Sequence, residues 1–142
     1  MNVVFIAPPA AGKGTQATLL RDNYNFYHIS TGDVLREIAE TNTPLGCEIK
    51  ALIDNGKLVS DELMAKLLKE KIGSLGNVEG IIFDGFPRTL EQAHMLDEIL
   101  NEVGMKVNKV IYFDIDKDTA MKRALGRVTC KDCGEIYNTY FD

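Results

Sequence analysis

The sequence contains no internal repeat, no low-complexity stretch and no linker rich in Pro, Gly or Ser. No apolar run approaches the roughly 18 residues that a membrane-spanning helix needs. The start, Met1 to Ala7, is apolar but lacks the basic front and small-residue cleavage site of a secretory leader, so none is expected. Cysteine is scarce: three residues, an odd number, exclude a disulfide framework and suggest a reducing cytoplasm. Positive charge is also short. Sixteen basic residues against 21 acidic ones leave a net charge of −5, which speaks against a nucleic-acid or anionic-membrane binder. What is present, 45% hydrophobic and 26% charged in 142 residues, suits one globular domain with a buried core.

Four segments read as buried strands: Asn2–Ala7, Phe26–Ile29, Gly80–Asp84 and Lys109–Asp114. The first, third and fourth are continuous apolar runs, as expected of strands covered on both faces of a parallel sheet. Helical patterns lie between them. Lys13–Asp22 follows the first strand, and Asp33–Glu40 follows Ser30 and Thr31, either of which can cap it. Leu45–Asp54 carries Leu45, Ile49, Leu52 and Ile53 on one face. Glu62–Ile72 starts after Ser60 or Asp61 as cap and has an apolar stripe. Thr89 to Gln92 has capping-box spacing and opens a helix towards Val103. A last helix covers about Lys117–Leu125. Strands alternating with helices predict an α/β fold with a parallel sheet, whose ligands sit beyond the carboxyl ends of the strands.

The residues after the first strand fit that expectation. Ala7-Pro8-Pro9-Ala10-Ala11-Gly12-Lys13-Gly14-Thr15 leads from strand through a small-residue turn into a helix. Backbone N–H groups at such a helix start can surround phosphate oxygens, Lys13 can reach the outer phosphates, and Thr15 can orient phosphate or metal. The strict pattern G-x-x-x-x-G-K-[ST] is not met, because Ala7 replaces the first glycine and Gly14 stands where Ser or Thr belongs. After the second strand, Ser30-Thr31-Gly32-Asp33-Val34-Leu35-Arg36 places a hydroxyl at a helix start and an arginine further along. Asp33 suits the positive end of the helix dipole. After the third strand comes Asp84-Gly85-Phe86-Pro87-Arg88, a carboxylate at a strand end followed by an arginine. Arg123 and Arg127 are four apart and share a face if the helix continues. Cys130 and Cys133 form a C-x-x-C pair. A redox role for it is disfavoured, since no strand pattern leads into Cys130 and no apolar-periodic helix follows Cys133. His28, Cys47 and His94 read as packing or surface residues.

Taken in order, these motifs resemble the adenylate kinase family over the whole chain. The loop resembles G-x-P-G-x-G-K-G-T-Q, in which Gly14 is regular while Ala7 and Ala10 depart. If Ala10 takes positive φ, strain of about 1–2 kcal/mol follows, and ATP should bind more weakly than with glycine there. The second segment resembles S-T-G-D-[ML]-x-R and the third D-G-[FY]-P-R. The resemblance implies a P-loop nucleoside monophosphate kinase fold and the reaction MgATP + AMP ⇌ 2 ADP. It implies ATP contacts from Ala10, Ala11, Gly12, Lys13, Gly14, Thr15, Arg127, Ile136 and Tyr137. It implies AMP contacts from Thr31, Arg36, Lys57, Leu58, Val59, Gly85, Phe86, Pro87, Arg88 and Gln92. Gln92 has a competing reading, in which it only completes the capping box with Thr89.

By the same resemblance, Lys13, Arg88, Arg123 and Arg127 carry charge in catalysis, and Asp84 holds Mg²⁺ through water. Residues 1–29 and 60–125 would form the core, 30–59 a mobile AMP-binding subdomain, and 126–142 part of a lid. Cys130 and Cys133 resemble half of the zinc site of long bacterial lids. A structural zinc needs four ligands, and Asp132, Glu135 and Asp142 are poor substitutes, so zinc is doubtful here. The end at Tyr140-Phe141-Asp142, without cap or polar tail, suggests a chain cut inside its lid. The family is typically monomeric, but an exposed strand edge would favour self-association of such a chain. Kinases for other nucleoside monophosphates and a non-catalytic nucleotide-binding remnant remain open at this point.

Overall fold

A computed structural model describes residues 1–141. Asp142, weighed above as a zinc ligand, lies outside the described residues. The chain runs β1 (Asn2–Ile6), α1 (Lys13–Tyr24), β2 (Phe26–Ser30), α2 (Thr31–Ala39), α3 (Pro44–Asp54) and α4 (Asp61–Ser74). It continues through β3 (Gly80–Asp84), α5 (Leu90–Glu102), β4 (Lys109–Tyr112), α6 (Lys117–Leu125), β5 (Arg127–Thr129) and β6 (Ile136–Asn138). The first four strands form one parallel sheet in the order β2-β3-β1-β4. This is the expected α/β architecture, with helices packed against the sheet.

Side-chain alternation along the strands divides the core in two. Val4 of β1, Ile29 of β2, and Ile81 and Phe83 of β3 join Leu67 and Leu68 of α4 and Leu96 and Leu100 of α5 in the larger cluster. Val3, Phe5 and Ile82 point the other way, where they meet Ala17 of α1, Phe26 and the partly buried Leu20 and Phe113. Phe5 and Phe113 pack edge to face at 4.9 Å. Both β1 and β3 are thus apolar on both faces, as their unbroken hydrophobic runs require.

Most helix starts follow from their sequence. Thr43 accepts a hydrogen bond from Gly46 N–H, Ser60 from Leu63 N–H, Thr89 from Gln92 N–H and Asp116 from Thr119 N–H. Each is a short oxygen-bearing side chain satisfying a free N–H of the first turn.

Four expectations are corrected. Ser30 stands at the N-cap of α2 but makes no side-chain capping bond. It is still the last residue of β2, paired with Asp84 in the sheet. The fourth strand is not buried: every residue of β4 is exposed, with Tyr112 at 65%. Among the described residues it pairs only with β1, and α6, which follows it, has no buried residue. Arg123 and Arg127 do not share a helix, because α6 ends at Leu125 and Arg127 begins β5. Finally, a strand does lead into Cys130: β5 pairs antiparallel with β6 around the Cys130–Glu135 turn. No helix follows Cys133 in this hairpin, so the redox reading gains nothing.

Leu68 is fully enclosed. Leu68→Ala should therefore cost about 2–5 kcal/mol of stability in urea unfolding. Leu58→Ala, at a position 94% exposed, should change it by less than about 0.5 kcal/mol.

Candidate functional site

The site is assembled where the parallel strands end. From β1 the chain turns through Pro8 to Gly12 into α1. The turn needs two left-handed residues, Ala10 at φ 63° and Gly12 at φ 91°. Glycine reaches that region freely, whereas alanine crowds its own backbone there. Ala10 thus takes the positive φ on which the strain argument depends. Gly12 is the N-cap of α1 and offers no side chain, so no capping bond occupies this helix start. The first intrahelical bond runs from Gln16 N–H to Gly12 O at 3.1 Å. The N–H groups of Lys13, Gly14 and Thr15 precede it, at the positive end of the helix dipole, where an anion is favoured.

Asp84 closes the floor of this loop. Its Oδ1 lies 3.0 Å from Lys13 Nζ and its Oδ2 lies 3.2 Å from His28 Nε2. Burial pushes this carboxyl up, but the hydrogen bonds from His28 and Lys13 and the charge of Lys13 outweigh it, leaving a net shift below the ordinary carboxylate value. Asp84 is therefore ionised at neutral pH. His28 belongs to the site, beyond its reading as a packing or surface residue. The register of β2 against β3 places His28 opposite Ile82, so its side chain shares a face with Asp84 two residues on. Knowledge of that pairing was the missing signal.

Three clefts meet at the loop. The first, about 650 Å³, sets Ala10 to Gly12 and Thr15 against Arg123, Arg127, Ile136 and Tyr137. The second, 540 Å³, includes Lys13, Gly14, Asp84 and Arg127. The third, 310 Å³, runs past Lys13 to Gly85, Pro87 and Arg88. The clefts therefore gather Lys13, Asp84, Arg88, Arg123 and Arg127 around one phosphate loop, four cations and one anion.

The residues expected to contact AMP gather less completely. Gly85, at φ 88°, packs so close to Thr31 that an added Cβ would sit 2.6 Å from its Oγ1. Arg88 folds back through Nε to Gly85 O at 2.9 Å. Gln92 is anchored on both sides: its Oε1 accepts from Arg88 N–H and its Nε2 donates to Asp61, each at 2.7 Å. The capping-box reading is thus modified, since the side chain reaches the residue before the N-cap. Phe86, expected at the AMP site, is a buried residue at 3% exposure and packs in the larger core cluster. Arg36 pairs with Asp33 and lines a separate cleft between α2 and α3. Lys57, Leu58 and Val59 form the connection from α3 to α4 and line none of the three clefts at the loop.

Metal fit differs between the two candidates. An ionised, half-buried carboxylate facing the phosphate loop suits Mg²⁺, which binds through one or two carboxylates, water and substrate phosphates. Zinc does not fit. Cys130 and Cys133 are free thiols, and among the described residues no group of three or more His, Cys, Asp or Glu side chains could hold an ion. Two thiolates fall short of a structural site.

Sheet order, phosphate loop and carboxylate together define a P-loop nucleotide-binding protein. The family model of adenylate kinase matches residues 5–140, and the chain belongs to that family. It is 46% identical over 141 residues to an adenylate kinase of Rhizorhabdus wittichii, covering 99% of this chain and 66% of that protein. It is 45% identical to one of Thermodesulfovibrio yellowstonii, with coverages of 99% and 66%. Against one of Pelagibacter ubique it is 42% identical, with coverages of 100% and 67%. The chain thus spans about 66% of the length of the first two of these relatives.

Two outcomes follow from this geometry. Ala10→Gly relieves left-handed strain of about 1–2 kcal/mol but adds unfolded-chain entropy, for a net gain of about 0.5–1 kcal/mol. Urea unfolding should show that gain. ATP affinity measured by titration calorimetry should rise as well, because the methyl no longer crowds the backbone's approach to phosphate, and an unchanged affinity would count against that crowding. The second concerns pH. A carboxyl with a depressed folded pKa contributes stability fully above its ordinary value of 3.8, and loses it as pH falls through the lower folded value. The stability difference between wild type and Asp84→Asn should therefore shrink as urea unfolding is repeated from neutral pH down to below 3.8.

Proposed function

We propose that this chain transfers a phosphoryl group reversibly between MgATP and AMP, giving two ADP. The observation that carries the reading is the convergence of Lys13, Arg88, Arg123 and Arg127 on clefts that share one phosphate loop. Phosphoryl transfer asks a protein mainly for positioned positive charge, because the transition state spreads charge over phosphate oxygens. In this reading Ala10 to Thr15 cradle the ATP phosphates, and Ile136 and Tyr137 meet the ATP base or ribose. Arg88 and Gln92 hold AMP, with Thr31 and the Lys57–Val59 connection at its base.

An oxygen of the AMP phosphate attacks the γ-phosphorus in line, and the bond from that phosphorus to the β-phosphate oxygen breaks. No covalent enzyme intermediate is needed. Asp84 would hold Mg²⁺ through water, and the ion would supply positive charge to the nucleotide phosphates. Lys13, already beside Asp84, is placed to follow the outer phosphates.

Residues 30–59 serve as the AMP-binding subdomain and residues from 126 onward as lid, while residues 1–29 and 60–125 form the core. Among the described residues no helix is long and apolar enough to cross a membrane. The free cysteines suit a reducing cytoplasm. The exposed edge of β4, with Val110, Ile111 and Tyr112 all open to solvent, supports self-association of this chain.

The test is ADP formation from MgATP with AMP, GMP, CMP or UMP as acceptor. AMP should be the preferred acceptor, and Arg123→Ala should lower kcat by about a thousandfold, in the range reported for a transition-state arginine. Equal rates with all four acceptors, or no ADP at all, would defeat the proposal.

A further inference from the structure

Asp61 lies outside the phosphate loop, in the first turn of α4. Its carboxylate accepts a hydrogen bond from Gln92 Nε2 at 2.7 Å in a partly buried setting. On the other side, Arg88 N–H donates to Gln92 Oε1, also at 2.7 Å. A side-chain amide has two nearly identical ends, so its orientation depends on its neighbours. Here the neighbours leave no choice. An ionised carboxylate only accepts, so it takes the NH₂ end, and a main-chain N–H only donates, so it takes the oxygen. A flipped amide would set donor against donor at Arg88 and acceptor against acceptor at Asp61.

We infer that Asp61 is a positioning residue that sets base specificity by locking the Gln92 amide in one orientation. The inference rests on the acceptor reading given above, in which Gln92 meets the AMP base. With both anchors made, the amide keeps one N–H and one oxygen lone pair free. On its Watson–Crick edge adenine offers the N6 amino donor beside the N1 acceptor, which matches that pair. On the same edge guanine carries the O6 carbonyl acceptor beside an N1–H donor, the reverse order. A locked amide meets it acceptor to acceptor and donor to donor, whereas a free amide can turn and pair with both. The lock therefore acts chiefly against guanine. It also ties the start of α4, next to the Lys57–Val59 connection, to the loop before α5.

Equilibrium binding of AMP and of GMP tests this without relying on turnover. Wild type should bind AMP in preference to GMP. Asp61→Leu should lower the AMP-to-GMP affinity ratio about tenfold, within the range that one bidentate amide–adenine pair contributes to discrimination. Part of that fall should come from tighter GMP binding. Asp61→Asn, isosteric and able to face Gln92 with either atom, should lower the ratio by a smaller factor. If Asp61→Leu does not fold, this second variant decides, and an unchanged ratio in it overturns the inference. Equal weakening of both nucleotides would also overturn it, since that is the mark of a purely structural role. A wild-type chain without AMP preference would instead overturn the acceptor reading beneath it.

Discussion

The ion pair between Lys13 and Asp84 joins two elements that are far apart in sequence but side by side in the sheet. Lys13 begins α1 and Asp84 ends β3, and the parallel pairing of β1 with β3 brings Phe5 opposite Asp84. Because the carboxylate is half-buried, it must be matched by positive charge or donors, and Lys13 and His28 supply them. The lysine is thereby held against the floor of the loop. An unpaired Asp84 at this depth would be costly, so the phosphate loop and the strand ends are energetically one unit.

That unit rests on a core of unequal depth. On one face of the sheet, α4 and α5 bury leucines against β1 and β3. On the other, the smaller cluster draws on α1 through Ala17 and Leu20. The strands that carry the site, β1 and β3, are the two central ones, while β2 and β4 stand at the edges. Rigid strands thus hold Asp84 and the loop entry, and the arginines of the hairpin side approach from α6 and β5, which are exposed for most of their length.

The sequence was legible where chemistry and chain order coincide. Asn2–Ile6 leading into Gly12-Lys13, and Gly80–Asp84 leading into Gly85, announce strand, turn and charged residue within a few positions. Features that depend on register or on distant packing were not. Nothing within Phe26–Ile29 says that His28 will face Asp84, because that contact exists only once β2 lies against β3. Lys109–Tyr112 has the apolar run of a buried strand, and only its place at the sheet edge leaves it open. The hairpin around Cys130 has strands of three residues each, too short for any period to register. Arg127 and Gln92 are placed in the site by resemblance, and only the fold shows the clefts that Arg127 lines and the partners of Gln92.

The pairing of Ser30 with Asp84 carries one more implication. The residues that follow them, Thr31 and Gly85, emerge from adjacent parallel strands, whose spacing is about 4.8 Å. The sheet therefore acts as a ruler. The gap between the Asp84 carboxylate at the end of β3 and the start of α2 at Thr31 is set by backbone hydrogen bonding, which no side-chain substitution can easily stretch.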